Sequence, residues 1–315
     1  MKKPRPDISA EALALLAEMQ DAGVITPDPD DMVTYRSQVR AGFTPWVEST
    51  LEVFDGEIED IEIAGINCKQ VTPAGWAGDS DGCIQYAYGG GYVSGSPWED
   101  LIIAAPLAQA SGARIVMVDY RLSPEHPYPE PQQDMQTVYP SLLARYGISR
   151  LAVAGESAGG NQALALLQHI RTDGLDLPCC AALFSPWCDL ANQGDSHDFN
   201  DQRDPSLSHP WVDIAAQMHA NGHPLGDPAI SPLHGDMRGL PPTIITTGSR
   251  DLLLSQALRL AQKLRAAEVD CDLRVWEGMW HVFEFYPIPE ARISINQVAS
   301  FVRSHMSAAI SRLTR

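Results

Sequence analysis

The amino-acid sequence predicts an α/β fold in which a mostly parallel central sheet is flanked by helices on both faces. Three observations support this prediction: short apolar runs alternate with helical periodicity, glycine-rich turns follow two of the runs, and 315 residues can bury a full core. The predicted strands are Ile58–Ile66, Cys83–Tyr88, Ile115–Val118, Leu151–Ala154, Ala182–Phe184, Thr243–Thr247 and Leu273–Val275. The predicted helices are 9–22, 32–42, 98–111, 130–146, 159–172, 210–220, 253–268 and 289–312.

Two segments interrupt the alternation of strands and helices. Residues 1–45 precede it with helices only, and residues 187–238 form a long stretch rich in Asp, His, Pro and Gly. The core of the fold is therefore predicted in two parts, over 46–186 and 239–315. Long insertions in compact domains are usually lids or binding elements, so we expect 187–238 to serve in this way.

Composition and charge exclude several classes of function. Hydrophobic residues make up 44% of the chain and charged residues 20%, which is ordinary for a soluble protein. The formal charge of −18 argues against nucleic acid and anionic membranes as partners. It indicates a well-solvated surface, with salt tolerance as the functional alternative. Acidic residues interrupt the N-terminal stretch and no apolar run could cross a bilayer, so we expect a cytoplasmic protein. Six cysteines without C-x-x-C spacing predict reduced thiols.

A glycine-flanked serine lies between a predicted strand and a predicted helix. The run Gly155-Glu156-Ser157-Ala158-Gly159 follows the strand Leu151–Ala154 directly. Strand, G-x-S-x-G and helix in this order are typical of a nucleophile elbow, where glycines permit a sharp and strained turn. Ser157 is therefore the candidate nucleophile.

A serine hydroxyl needs a base within hydrogen-bond reach and a carboxylate that orients this base. In enzymes with such an elbow the chain order is Ser, then Asp or Glu, then His. His281 follows the predicted strand 273–275 on a loop, and Asp251 follows the strand 243–247. An alternative role for Asp251 is to cap the helix that begins near Leu252.

A triple glycine supplies candidate donors to an oxyanion. Gly89, Gly90 and Gly91 follow the predicted strand 83–88, and glycine lets backbone N–H groups approach a reacting carbon. The N–H of Ala158, next to Ser157, is the expected partner donor. A phosphate-binding loop is the alternative, but the glycine and lysine spacing that it requires is missing. No H-E-x-x-H motif or other set of ligand residues indicates a metal site.

Three motifs and two single residues carry a resemblance to a known family. They are YGGGY at Tyr88–Tyr92, DYRLSPEHPYP at Asp119–Pro129, GESAGG at Gly155–Gly160, Asp251 and His281. The chain resembles the hormone-sensitive-lipase-like esterases, the bacterial family IV carboxylesterases of the α/β-hydrolase superfamily. The resemblance covers essentially the whole chain, and the second motif is highly specific to this family.

The resemblance implies a role for each of these residues. Ser157 is the nucleophile, His281 the base and Asp251 the acid. The oxyanion donors are the N–H groups of three residues, Gly90, Gly91 and Ala158. The N-terminal helices and the insertion form a cap over the acyl and alcohol pockets.

Two positions depart from the family pattern. Tyr88 and Gly89 begin the glycine loop, where the family normally has histidine at the first position, and the Tyr88 hydroxyl can brace this loop instead. Glu156 lies where aspartate is more frequent, and we expect it to support the elbow by hydrogen bonds. Aromatic side chains are candidate pocket residues, with plain core packing as the alternative. They are Trp46, Tyr92, Trp187, Trp211 and Phe283.

The expected activity is that of a serine carboxylesterase acting on short- to medium-chain esters through an acyl-enzyme on Ser157. Hydrolysis of a lactone is a second possibility, because lactone opening uses the same intermediate. The third is a ligand-binding relative without catalysis, although all three triad residues are present. No cofactor is expected, and the partner is a small-molecule ester or lactone. Family analogy also suggests a homodimer through an edge strand near 272–276.

Overall fold

The computed structural model describes residues 8–313, so the start of the predicted 1–45 segment and residues 314–315 lie outside the described part. Within it, eight strands form one sheet in the order β1-β2-β4-β3-β5-β6-β7-β8. The strands are β1 (Gly56–Ile63), β2 (Ile66–Pro73), β3 (Cys83–Ala87), β4 (Arg114–Val118), β5 (Leu151–Glu156), β6 (Cys180–Phe184), β7 (Thr243–Gly248) and β8 (Cys271–Trp276). The predicted α/β class is confirmed.

The direction of the strands decides where a site can form. From β4 to β8 every neighbouring pair is parallel, whereas β2 pairs antiparallel with both β1 and β4. The central strands β3 to β7 are buried along their whole length, as expected for parallel strands covered on both faces. The carboxyl ends of β3, β5, β7 and β8 therefore meet at one edge, where open α/β sheets place their sites.

The prediction of one strand over Ile58–Ile66 is wrong. The structure places a hairpin there, in which β1 and β2 pair through the register Ile63 to Ile66. Ala64 and Gly65 between them both have positive φ, at 53° and 84°. Two consecutive residues in this region form the tight turn that matches the twist of a hairpin.

Nine helices accompany the sheet in the described part of the chain. They are α1 (Ala10–Ala22), α2 (Met32–Val53), α3 (Leu101–Ser111), α4 (Glu130–Tyr146), α5 (Ala158–Thr172), α6 (Asp195–Asn200), α7 (His209–Ala220), α8 (Leu254–Ala266) and α9 (Pro289–Leu313). Helices α3 and α9 pack together, α4 and α5 pack together, and α8 packs against β7 and β8. Among residues 8–313, no helix is both long enough and apolar enough to cross a membrane.

Helix α2 is twice as long as predicted. It begins after the N-cap Asp31, whose side chain accepts the N–H of Thr34, and it continues beyond residue 42 to Val53. Pro45 lies inside it and lacks the N–H that would donate to the preceding turn, yet the helix continues past this position. The aromatic side chains Phe43 and Trp46 continue the same helical face beyond the predicted end, and this face turns toward the candidate site.

Candidate active site

Ser157 lies at the sharp turn between β5 and α5. Its backbone has φ 53° and ψ −118°, a conformation that residues with a side chain rarely adopt. The surrounding chain holds it there, because its N–H donates to the carbonyl of Phe184 at 2.9 Å and its carbonyl accepts from Trp187 at 2.9 Å. The turn therefore projects the hydroxyl from the carboxyl edge of the sheet.

The glycines on both sides of Ser157 are required by close packing. A Cβ on Gly159 would lie 2.0 Å from the carbonyl oxygen of Ala87, and one on Gly155 would lie 2.2 Å from the carbonyl oxygen of Gly159. Side chains there would push α5 away from the sheet. The local sequence thus builds the elbow by steric necessity.

A chain of hydrogen bonds joins the three residues that the sequence singled out. The Ser157 hydroxyl donates to His281 Nε2 at 2.9 Å, and His281 Nδ1 donates to Asp251 Oδ1 at 3.1 Å. All three side chains are buried, with Asp251 fully removed from solvent. A base and an orienting carboxylate at such distances are what a serine nucleophile needs.

The Asp251 carboxylate has further partners on both oxygens. Thr247 Oγ1 donates to Oδ2 at 2.8 Å and the N–H of Leu253 donates to Oδ1 at 2.8 Å. Burial alone would raise the pKa of Asp251, but the charge and hydrogen bond of His281, together with hydrogen bonds from the Leu253 N–H and Ser185, hold it below its ordinary value. The alternative of a helix cap is wrong, because α8 begins at Leu254 with Leu253 as its N-cap and has no side-chain cap hydrogen bond.

The Asp251 carboxylate also determines the direction in which the pKa of His281 shifts. Burial lowers the pKa of His281, but the adjacent Asp251 outweighs burial, and the pKa lies above the ordinary value of imidazole. Ser185, just after β6, contacts Asp251 and the residue that follows His281. Its hydroxyl accepts the N–H of Val282 at 3.1 Å and hydrogen-bonds to Asp251.

The glycine loop lies beside Ser157. Gly89 and Gly90 line the same cavity as Ser157 and His281. Within the described residues, the backbone N–H groups of Gly90 and Gly91 make no hydrogen bond to a protein acceptor. Ala158 is the first residue of α5, where a helix leaves its N–H groups unpaired.

Two side chains support this loop from behind. The Tyr88 hydroxyl donates to the backbone carbonyl of Tyr120 at 2.7 Å. The Glu156 carboxylate accepts the backbone N–H of Gly89, and burial together with the nearby Asp100 raises the pKa of Glu156 well above its usual range. Glu156 is therefore in contact with the glycine loop in addition to being part of the elbow.

A cavity of about 410 Å³ opens above Ser157. Its walls come from the N-terminal helices, from the insertion and from the chain after His281, and they are mainly apolar. Residues of these walls are Met19, Tyr35, Val39, Phe43, Trp46, Pro205, Ser206, Leu207, Trp211, Phe285 and Tyr286.

The aromatic candidates separate into two groups. Trp211 and Trp46 line the cavity, and Trp211 Nε1 donates to the hydroxyl of Tyr35 at 2.8 Å. The structure places three others in the core. Their contacts are Tyr92 stacked on His219, Trp187 Nε1 donating to Asn192 Oδ1, and Phe283 packed against Trp276.

The sequence analysis missed four residues around Asp251. They are Ser185, Thr247, Asn200 and Asp204. Ser185 and Thr247 lie at the carboxyl ends of β6 and β7, and a polar residue at such a strand end was a usable signal. Asn200 and Asp204 belong to the insertion, where no local pattern points to the sheet.

Comparisons with known proteins agree with this geometry. The family described as alpha/beta hydrolase fold matches residues 84–285. An acetyl-hydrolase of Streptomyces hygroscopicus is 35% identical over 224 residues, which cover 70% of this chain and 75% of the relative. An esterase of Acinetobacter venetianus is 32% identical and aligns over 79% of this chain and 82% of its own length.

Solved structures show the same likeness over nearly the whole chain. A bacterial esterase of the hormone-sensitive lipase family has a TM-score of 0.84 and 31% identity, and the match covers 97% of this chain and all of the other. A hormone-sensitive lipase from a metagenome library has a TM-score of 0.85 and 29% identity, with 95% of this chain covered and 100% of the other. The chain therefore belongs to the hormone-sensitive-lipase-like carboxylesterases of the α/β-hydrolase superfamily.

Proposed function

We propose that this chain hydrolyses carboxylic esters through an acyl-enzyme on Ser157. The observation that carries the proposal is the hydrogen-bonded chain from Ser157 Oγ through His281 to Asp251 at the floor of an apolar cavity. The names of the relatives, acetyl-hydrolase and esterase, support ester chemistry.

In the proposed acylation, His281 Nε2 takes the hydroxyl proton as Ser157 Oγ attacks the ester carbonyl carbon. The carbonyl oxygen becomes an oxyanion, which the N–H groups of Gly90, Gly91 and Ala158 stabilise. When the intermediate collapses, His281 returns its proton to the departing alcohol. Water activated by His281 then attacks the acyl-enzyme, which releases the acid and restores the Ser157 hydroxyl.

Asp251 keeps the proton of His281 on Nδ1 and stabilises the imidazolium that forms during each step. It stays ionised in this role because its own pKa is held low. The raised pKa of His281 matches a group that must accept a proton from serine.

We further propose that α1, α2 and the insertion act as a cap that sets the size of the substrate. Their side chains form much of the wall above Ser157, and about 410 Å³ suits a small ester with a short or medium acyl chain.

The proposal is tested by hydrolysis of p-nitrophenyl esters of increasing chain length by the wild type and by Ser157→Ala. We expect turnover of the acetate and butyrate esters by the wild type, and a loss of at least a thousandfold in the variant. No hydrolysis by the folded wild type at any chain length would favour a ligand-binding protein. Equal rates for both proteins would contradict the role of Ser157.

A further inference from the structure

The insertion contacts the chain that carries Asp251. Asn200 Nδ2 donates to the Asp251 carbonyl at 2.9 Å. Ser196 Oγ donates to the Leu252 carbonyl at 2.8 Å and accepts the N–H of Ser255 at 2.8 Å. The turn after Asp251 is thus held by side chains from a segment more than fifty residues away in sequence.

Asp204 contributes the one carboxylate among these tethers. Its Oδ2 accepts the N–H of Leu252 at 2.8 Å, and its Oδ1 accepts the N–H of Ser206 at 2.9 Å. Only 4% of Asp204 is exposed. Both oxygens accept from backbone N–H groups, which only a side chain with acceptors at both positions can do.

The charge of Asp204 interacts with the Asp251–His281 pair. Burial and, next, the Asp251 charge raise the pKa of Asp204 to about 7, while His281 opposes both effects. Conversely, Asp204 is among the carboxylates, with Asp251 and Glu284, that raise the pKa of His281 against its burial. Tyr286 also lies near Asp204, and the Tyr286 hydroxyl is 3.1 Å from Ser206 Oγ. Burial raises the pKa of Tyr286 to about 12.

We propose that Asp204 is a positioning residue supplied by the insertion, which fixes the turn after Asp251 and places a second negative charge behind the Asp251–His281 pair. This inference rests on the proposed ester hydrolysis. It assigns the insertion a role in catalysis besides forming a wall of the cavity. Asn200 and Ser196 hold the same turn without a charge, so the two parts of the role are separable.

The test compares pH profiles of kcat/KM for p-nitrophenyl acetate in the wild type and in Asp204→Asn. Loss of the charge lowers the pKa of His281, so that the neutral base persists to lower pH. We expect the acid limb to move down by less than about one pH unit, because Asp204, with a pKa of about 7, is only partly ionised in this range. We also expect kcat at the optimum to fall about tenfold, because the amide cannot accept both N–H groups.

Two matched variants separate charge from tethering. Asn200→Ala removes an uncharged tether of the same turn, and we expect a lower kcat with an unmoved acid limb. Asp198→Asn removes an exposed charge of the same insertion, and we expect a wild-type profile. Rates are expressed per active site, titrated with a phosphonate ester, so that a partly folded preparation does not distort them.

An acid limb that stays in place in Asp204→Asn, or moves equally in Asn200→Ala, would overturn the inference. If Asp204→Asn does not fold, Asp204→Glu keeps the charge and displaces it. For this variant we expect a reduced kcat and an acid limb at the same pH as in the wild type. An acid limb at lower pH, or a wild-type kcat, would contradict the inference. Absence of hydrolysis by the wild type would instead contradict the proposed function.

Discussion

Tyr88 and Tyr120 form a reciprocal pair: each hydroxyl donates to the backbone carbonyl of the other residue at 2.7 Å. Their rings are stacked, with centroids 4.1 Å apart and planes within 6°. Tyr88 begins the glycine loop, and Tyr120 belongs to the family-specific DYRLSPEHPYP stretch. Two motifs of the family are therefore joined at the position where this chain has tyrosine in place of the usual histidine.

The first prediction concerns this pair. Tyr88→Phe keeps the stacked ring and removes one hydroxyl, which leaves the Tyr120 carbonyl without that donor in a buried place. The loss of one hydrogen bond, about 1 kcal/mol, leaves the glycine loop less well positioned, so we expect kcat to fall about fivefold. Steady-state hydrolysis of p-nitrophenyl butyrate measures it.

Tyr139→Phe is the matched control for Tyr88→Phe. The Tyr139 hydroxyl also donates to a backbone carbonyl, that of Asp176 at 2.7 Å, but it lies on α4 away from the glycine loop. We expect a similar loss of thermal stability and an unchanged kcat. Wild-type kinetics for Tyr88→Phe would show that its hydroxyl does not brace the loop.

The second prediction concerns the pH dependence of the wild type. His281 must be neutral to act as a base, and its pKa lies above the ordinary value of about 6.5. Activity should therefore be present at higher pH and be lost as the pH falls through a value above 6.5. The kcat/KM of p-nitrophenyl acetate, followed at the isosbestic wavelength of p-nitrophenol, measures it. An acid limb centred below pH 6 would contradict the assigned environment of His281.

The third prediction concerns acid stability and a buried histidine in α7. His219 stacks on Tyr92 with ring centroids 3.6 Å apart, and its nitrogens contact Ser123 Oγ and Gln132 Nε2. Burial lowers the pKa of His219 to about 3. In the unfolded chain His219 therefore binds a proton near pH 6.5, whereas in the folded protein it stays neutral. The free energy of unfolding falls as the pH drops from 6.5 toward 3.

This linkage amounts to about 2 kcal/mol of unfolding free energy between pH 7 and pH 5. His219→Gln removes the titrating group, so its loss of stability over this interval should be smaller by that amount. Urea unfolding at both pH values measures it. Equal losses in wild type and variant would contradict a neutral, buried His219. His305→Gln, with a histidine on α9 outside this cluster, is the control and should leave the difference unchanged.

The fourth prediction concerns the size of the substrate. Trp211 lines the cavity and lies over Gly91, where a Cβ would come within 2.5 Å of its ring. Trp211→Ala enlarges this space, and we expect the ratio of kcat/KM for octanoate over acetate esters to rise about tenfold. Tyr35→Phe removes the hydrogen bond to Trp211 and keeps the ring in place, so it should leave the ratio within twofold. An unchanged ratio in Trp211→Ala would exclude Trp211 as a determinant of size.

Local sequence was sufficient to predict the elements that meet at the carboxyl edge of the sheet. The elbow at Ser157 follows from steric constraints within five residues, and Asp251 and His281 each lie on the loop after a strand that the sequence predicts. The hairpin turn at Ala64 and Gly65 was not predicted, because alanine rarely adopts a positive φ and so gave no indication of a tight turn.

What could not be predicted depends on contacts between distant segments. Asp204 and Asn200 read as ordinary polar residues of an irregular insertion, and only the fold brings them to the turn after Asp251. Trp187 and Trp211 are both tryptophans of the insertion, yet Trp187 is a core residue and Trp211 lines the cavity. Such differences arise from how the insertion packs, which periodicity does not encode.

The most direct test of the central claim is the site of covalent labelling by a p-nitrophenyl alkylphosphonate, located by peptide mass mapping. We predict one equivalent of phosphonate on Ser157 in the wild type, with esterase activity lost in proportion, and no label at this position in Ser157→Ala. Stoichiometric labelling of another residue, or full esterase activity in a fully labelled protein, would contradict the assignment of Ser157 as the nucleophile.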